Sequence, residues 1–203
     1  MSPVGILGGS FNPPHAGHLI CARMAAEQLE LERVLIVPLC RAPHRTLERD
    51  PGAPERLELC RAAVAGDPVL EACADEVERG GTSFTVQTLE ELRGRGGVVD
   101  PVLILGADAA RNLDTWKDPG RVLELAGLAI APRGADPQAA RVAADVEQRY
   151  PGARAVAFEM PQVEISSSMI RERVAAGLSI RDMVPAPVGE LIAERGWYRE
   201  EDR

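Results

Sequence analysis

Positive charge is the first thing this chain is short of. Its 203 residues carry 31 acidic and 23 basic side chains, a formal net charge of -8. Proteins that hold long nucleic acids do so through many Lys and Arg contacts to phosphate, so a chain with a pI near 5.0 is a poor match for a polyanion partner. A small anionic ligand stays open, because a few local donors bind phosphate whatever the bulk sign. Lysine is scarcer still: Lys117 stands alone beside 22 arginines, so an Arg near any candidate site carries little weight by itself. Aromatic residues make up only 3% of the chain, which makes a Trp in a polar loop an unusual find. The four cysteines, Cys21, Cys40, Cys60 and Cys73, form no CxxC pair, which excludes a zinc knuckle or dithiol motif and predicts free, mostly buried thiols. No window reaches 18 apolar residues, and the first residues lack the basic and apolar segments of a secretory signal. A cytoplasmic protein with no membrane partner is expected.

What is present is ordinary in bulk and specific in detail. Hydrophobic residues at 45% and charged residues at 27% fit a globular chain with a real core. At about 150 residues per domain, the length predicts a single domain over 1–203, with a small helical part over 166–203. Apolar runs of strand length at 4–8, 33–39, 69–74, 101–105, 128–131 and 153–158 alternate with helical stretches at 18–29, 53–65, 84–93, 121–126, 138–149, 167–176 and 188–195. That alternation predicts a Rossmann-like, doubly wound α/β fold with a mainly parallel sheet. In such sheets the ligand crevice lies outside the carboxyl ends of the strands.

Behind the first strand stands Gly8-Gly9-Ser10-Phe11-Asn12-Pro13-Pro14-His15-Ala16-Gly17-His18. Two glycines bend the chain, and a helix opens soon after, so a helix N-terminus can face an anion. Neither GxGxxG nor the P-loop pattern is present, and a different phosphate device is needed. His15 and His18, three apart around Gly17, can turn to one point and donate to phosphate oxygens. Zinc would want a third or fourth ligand of Cys or His type, and the only other His, His44, is far along the chain. Near the other end, Ile165-Ser166-Ser167-Ser168-Met169-Ile170-Arg171 supplies an N-cap, several hydroxyls and an Arg one turn into a helix, a second anion site.

The first segment resembles the GGTFDPxHxGH signature of the HxGH nucleotidyltransferases, with Asn12 where many relatives have Asp. The second is similar to the ISSTxIR motif of the same family. From these resemblances the catalytic residues are His15, His18 and Arg171. The ATP site is Gly8, Gly9, Ser10, Phe11, His15, His18, Gly106, Asp108, Ile165, Ser168 and Arg171, with Ser168 and Arg171 on the β- and γ-phosphates. The stretch Gly106-Ala107-Asp108 through Trp116 resembles the GxDxxxxxxxW segment of the bacterial nicotinate mononucleotide adenylyltransferases, where the aspartate contacts ribose and the tryptophan stacks on the pyridine ring. The run Gly81-Thr82-Ser83-Phe84-Thr85 looks like that family's acceptor-gripping segment with Phe84 for Tyr, and Pro43-His44-Arg45 like its PPH[KR] loop. The acceptor site implied is His44, Arg45, Thr82, Phe84, Thr85, Asp108, Trp116, Lys117 and Arg133.

The function implied is transfer of the adenylyl group of ATP to nicotinate mononucleotide, with Mg²⁺ bound through the ATP phosphates and no dedicated metal cage. Three alternatives remain open at this stage: a relative using nicotinamide mononucleotide or phosphopantetheine as acceptor, a cytidylyltransferase, and a nucleotide-binding module without turnover. A homo-oligomer is also open, with 138–149 either surface helix or interface.

Overall fold

Val4–Gly9 begins as an unbroken apolar run buried on both faces, which only the middle of a parallel sheet accommodates, and it forms strand β1. The structure is a computed structural model and describes residues 2–43, 46–96, 98–132 and 138–199. In it β1 pairs in parallel with β2 (Arg33–Pro38), Val4 opposite Arg33, and with β4 (Pro101–Gly106), Val4 opposite Pro101. β3 (Leu70–Ala72) lies beyond β2, while β5 (Gly127–Ala131) and β6 (Ala155–Ala157) lie beyond β4. The order β3-β2-β1-β4-β5-β6 confirms the Rossmann-like, doubly wound reading and puts the topological switch between β1 and β4. β3 and β6, at the edges, are shorter than their sequence runs, because an edge strand has a partner on one side alone.

Alternate residues along the strands build two cores, as the period of two requires. Ile6, Leu35, Leu103 and Leu128 face one side, where α4 (Thr85–Gly94), α6 (Pro119–Leu125) and α7 (Gln138–Arg149) add Leu89, Val122 and Val146. Leu7, Val34, Ile36 and Ile104 face the other, where α1 (Ala16–Gln28) and α2 (Ala53–Ala63) cover them with Ala22, Ala25 and Cys60. The small alanines let α1 lie close to the sheet. A third cluster joins α8 (Ser167–Ala175) and α9 (Ala186–Arg195) to α2 through Leu59, Ile170, Val188 and Ile192.

Three expectations need correction. α1 opens at Ala16 instead of residue 18, because His15 is the extended residue that caps it, and this moves His18 inside the first turn. Two five-residue helices, α3 (Asp75–Arg79) and α5 (Ala107–Arg111), were not expected, since five residues are too short to display a helical period. The four cysteines are free as predicted, but only Cys60 is buried and the other three are half-buried. Among the described residues no helix is long and apolar enough to cross a membrane.

Candidate active site

The glycines that end β1 let the chain fold back on itself. A Cβ on Gly9 would meet the Phe11 ring at 3.3 Å, so the loop closes over a phenyl group that is 1% exposed. Phe11 has φ 46°, a left-handed conformation that a bulky residue keeps only where its surroundings fix it. Its ring meets the edge of His18 with centroids 4.9 Å apart. Phe11 thus forms the buried floor of the loop, and its side chain does not line the open crevice.

On that floor the two histidines stack, centroids 3.7 Å apart and planes at 27°. The backbone N–H of His15 donates to His18 Nδ1 at 3.3 Å, which leaves the proton of the neutral His18 ring on Nε2. Burial pushes the His15 imidazole down to about 4 and holds His18 well below its usual 6.5, the neighbouring His15 adding a smaller push in the same direction. Both rings are neutral at pH 7, and His15 Nδ1 is buried with no hydrogen-bond partner among the described residues. Gly17 is what brings the first ring close: a Cβ there would sit 3.1 Å from His15 Nδ1 and 3.3 Å from Val163 Cγ1.

Helix α8 delivers the second anion segment to the same loop. Ser166 is its N-cap, accepting from the Met169 N–H at 3.2 Å, as the three serines suggested. Ser167 donates its hydroxyl to Pro13 O at 2.8 Å. Arg171 turns inward: it is buried, and it donates to Asn12 O at 2.9 Å and to Ser168 Oγ at 3.2 Å. Ser168 is exposed and Ile165 half-buried behind it. The guanidinium therefore braces the β1–α1 loop, a role its sequence position did not announce.

Beside β1, at the carboxyl ends of β2 and β4, lies a cavity of about 300 Å³. Gly8 and Gly9 form its side toward the histidine loop, and Phe84, Thr85, Trp116 and Lys117 line it from the start of α4 and the segment after α5. Phe84 caps α4 and Thr85 opens it, so the start of this helix stands at the wall. The Lys117 ammonium lies 4.5 Å from the centroid of the Phe84 ring, a cation–π contact. Trp116 is half-buried against the core, as a ring between protein and ligand would be. Thr82 stands just outside this wall, its Oγ1 accepting from Arg41 at 3.0 Å. Gly106 caps α5, and Asp108 in its first turn pairs with Arg111 at 2.9 Å while its neighbour Ala109 lines the cavity. His44, Arg45 and Arg133 lie outside the described residues.

Two residues escaped sequence reading. Glu76, on the unexpected α3, lines the cavity with its carboxylate held by the Thr88 hydroxyl at 2.6 Å. Arg56 is fully buried behind the loops that follow β1 and β2. Its signal was an arginine one turn before the buried Cys60 on an otherwise apolar helix face, which 22 arginines in the chain obscured.

Comparison with known proteins agrees with this layout. Residues 6–173 match the cytidylyltransferase-like family. A protein of Gemmatimonas aurantiaca described as a probable nicotinate-nucleotide adenylyltransferase is 39% identical, over 98% of this chain and 94% of its own length. One of Thermomicrobium roseum with the same description is 38% identical, over 98% and 92%. Among solved structures, Plasmodium falciparum nicotinic acid mononucleotide adenylyltransferase complexed with NaAD shares the fold at TM-score 0.75 and 15% identity, covering 98% of each chain. Its complex with APC gives 0.73 and 14% identity, again over 98% of each chain. With a family model spanning most of its length and near-full-length relatives at this identity, the chain belongs to the cytidylyltransferase-like family and, within it, to the nicotinate-nucleotide adenylyltransferases.

Proposed function

We propose that this protein transfers the adenylyl group of ATP to nicotinate mononucleotide, releasing pyrophosphate and forming nicotinate adenine dinucleotide. One observation carries the reading: the stacked histidine pair and the α8 serines meet at the exit of β1, beside a cavity walled by Phe84, Trp116 and Lys117. An anion-binding end and an aromatic end side by side suit a triphosphate next to a pyridine nucleotide.

The 5′-phosphate of the acceptor arrives already ionised, so no general base or covalent enzyme intermediate is required, and the protein's work is positioning and charge stabilisation. His18 donates through Nε2–H to charge developing at the α-phosphate, with His15 beside it. Ser168 and Arg171 take the leaving pyrophosphate, Ile165 supports their turn, and Gly8, Gly9, Ser10 and Phe11 offer backbone to ATP. Gly106 and Asp108 serve the ribose. Thr82, Phe84, Thr85, Trp116 and Lys117 hold the pyridine end, with His44, Arg45 and Arg133 as further phosphate contacts. The Lys117 ammonium on the cavity wall favours an acceptor that carries a carboxylate over its amide counterpart.

Mg²⁺ enters this reading on the ATP phosphates. Such an ion would take most of its ligands from phosphate oxygens and water. When bound it neutralises phosphate charge. The reading takes the chain as one nucleotidyltransferase domain with 166–203 as its helical part, acting in the cytoplasm, and leaves self-association open.

The test is pyrophosphate release with ATP and Mg²⁺, run in parallel with nicotinate mononucleotide, nicotinamide mononucleotide and phosphopantetheine. Turnover at least tenfold faster with the acid supports the reading. Turnover with the amide or phosphopantetheine alone moves the activity to that acceptor, and ATP binding without release with any of them leaves a nucleotide-binding module.

A further inference from the structure

Among the described residues Arg56 is the largest side chain with no exposed surface, and its guanidinium reaches three separate segments. Its Nη1 donates to Ser10 O at 2.9 Å and to Leu39 O at 2.7 Å, its Nη2 to Cys40 O at 3.0 Å, and its Nε to Asp50 Oδ1 at 2.9 Å. A planar fork of five N–H groups can serve four acceptors in these directions, and an ammonium cannot. Ser10 belongs to the loop after β1, Leu39 and Cys40 to the exit of β2, and Asp50 to the segment whose Glu48 carbonyl accepts from Asn12 Nδ2 at 2.9 Å.

The Ser10 contact has a directional consequence. The Ser10–Phe11 peptide is trans, so its C=O and N–H point opposite ways. With the Ser10 carbonyl drawn to Arg56, the Phe11 N–H points away from α2, and no acceptor among the described residues takes it. Phe11 at φ 46° would not hold that orientation unaided.

We propose that Arg56 is a positioning residue for adenylyl transfer: it aims the Phe11 N–H outward as a donor to phosphate, and it locks the ATP-side loop after β1 in register with the acceptor-side wall after β2. The inference rests on the function proposed above. The test compares wild type, R56K and D50N for folding by thermal melt, for kcat and both KM values in the pyrophosphate assay, and for the backbone amide of Phe11 by ¹⁵N-phenylalanine labelling, the chain having three Phe. R56K is expected to lose tenfold or more in kcat per folded molecule with both KM values within threefold, and to move the Phe11 amide resonance while that of Phe158 stays. D50N, altered at a side chain that is 28% exposed, is expected to fold and to lose about threefold in kcat, and it decides the matter if R56K fails to fold. An arginine that only held the fold together would lower the melting temperature and leave kcat per folded molecule and the Phe11 resonance unchanged, which overturns the proposal. A wild type that releases no pyrophosphate refutes the functional reading instead, and the Phe11 resonance alone then decides for or against Arg56.

Discussion

The imidazole of His15 lies face to face with that of His18, centroids 3.7 Å apart, while its own backbone N–H donates to the Nδ1 of that second ring. The bond orients His18, and the stacking shields both rings from water. The pair is therefore a set of aimed, uncharged donors.

Replacing His18 by alanine removes the donor whose tautomer the structure fixes. The expected result is a loss of roughly 10²-fold in kcat, the scale for deleting one preorganised donor to transition-state charge. A steady-state assay of the folded variant checks it, and activity within about threefold of wild type would remove His18 from this role.

The same burial makes stability depend on pH. His15 is lowered to about 4 in the folded chain from 6.5 when free, so between those values the unfolded chain binds more protons and stability rises with pH. The stabilisation is fully present above pH 6.5 and is lost as pH falls toward 4, with His18 acting in the same direction. The loss is on the order of 3 kcal/mol for His15. Urea titrations at pH 7, 6, 5 and 4, compared with a His15→Gln variant that should show a flatter profile, measure it.

Gly17→Ala should separate activity from stability. Alanine suits a helix better than glycine by up to about 1 kcal/mol, yet its Cβ would press on His15 at 3.1 Å and on Val163 at 3.3 Å. A melting temperature within a few degrees of wild type, together with about a tenfold lower kcat, is the expected pair of results. Unchanged kcat would show that the His15 ring yields without cost.

Asn12 is 1% exposed and donates to Glu48 O, a bond that an ionised aspartate cannot make. Asn12→Asp should cost about 1–3 kcal/mol at neutral pH. A protonated carboxyl can donate again, so the deficit should shrink as pH falls toward 4. Thermal melts of variant and wild type across that range check the trend; equal stability at pH 7 would mean that Arg171 re-pairs with the new carboxylate.

How much of this was legible in the sequence follows from range. The histidine loop and the serine N-cap are contiguous runs whose geometry is set by neighbours a few residues away, so His15, His18 and Ser166 are found where the residues suggest. Strand existence was legible from apolar runs, but strand order was not, because pairing of β1 with β4 joins residues about a hundred positions apart. Arg56 and Glu76 were invisible for the same reason: what makes each one matter is a partner on a different segment. Arg171 was half legible, since its place near phosphates could be read from the motif and its grip on Asn12 could not.

That grip spans 159 positions of chain, and the bond from Ser167 to Pro13 spans 154. Every described strand of the sheet precedes residue 158, so the sheet's residues are all in the chain before the two contacts that α8 brings to the histidine loop. Chain order thus separates architecture from catalyst: the residues of the sheet come first, and the histidine loop gains its contacts to Ser167 and Arg171 from a helix encoded after all of them.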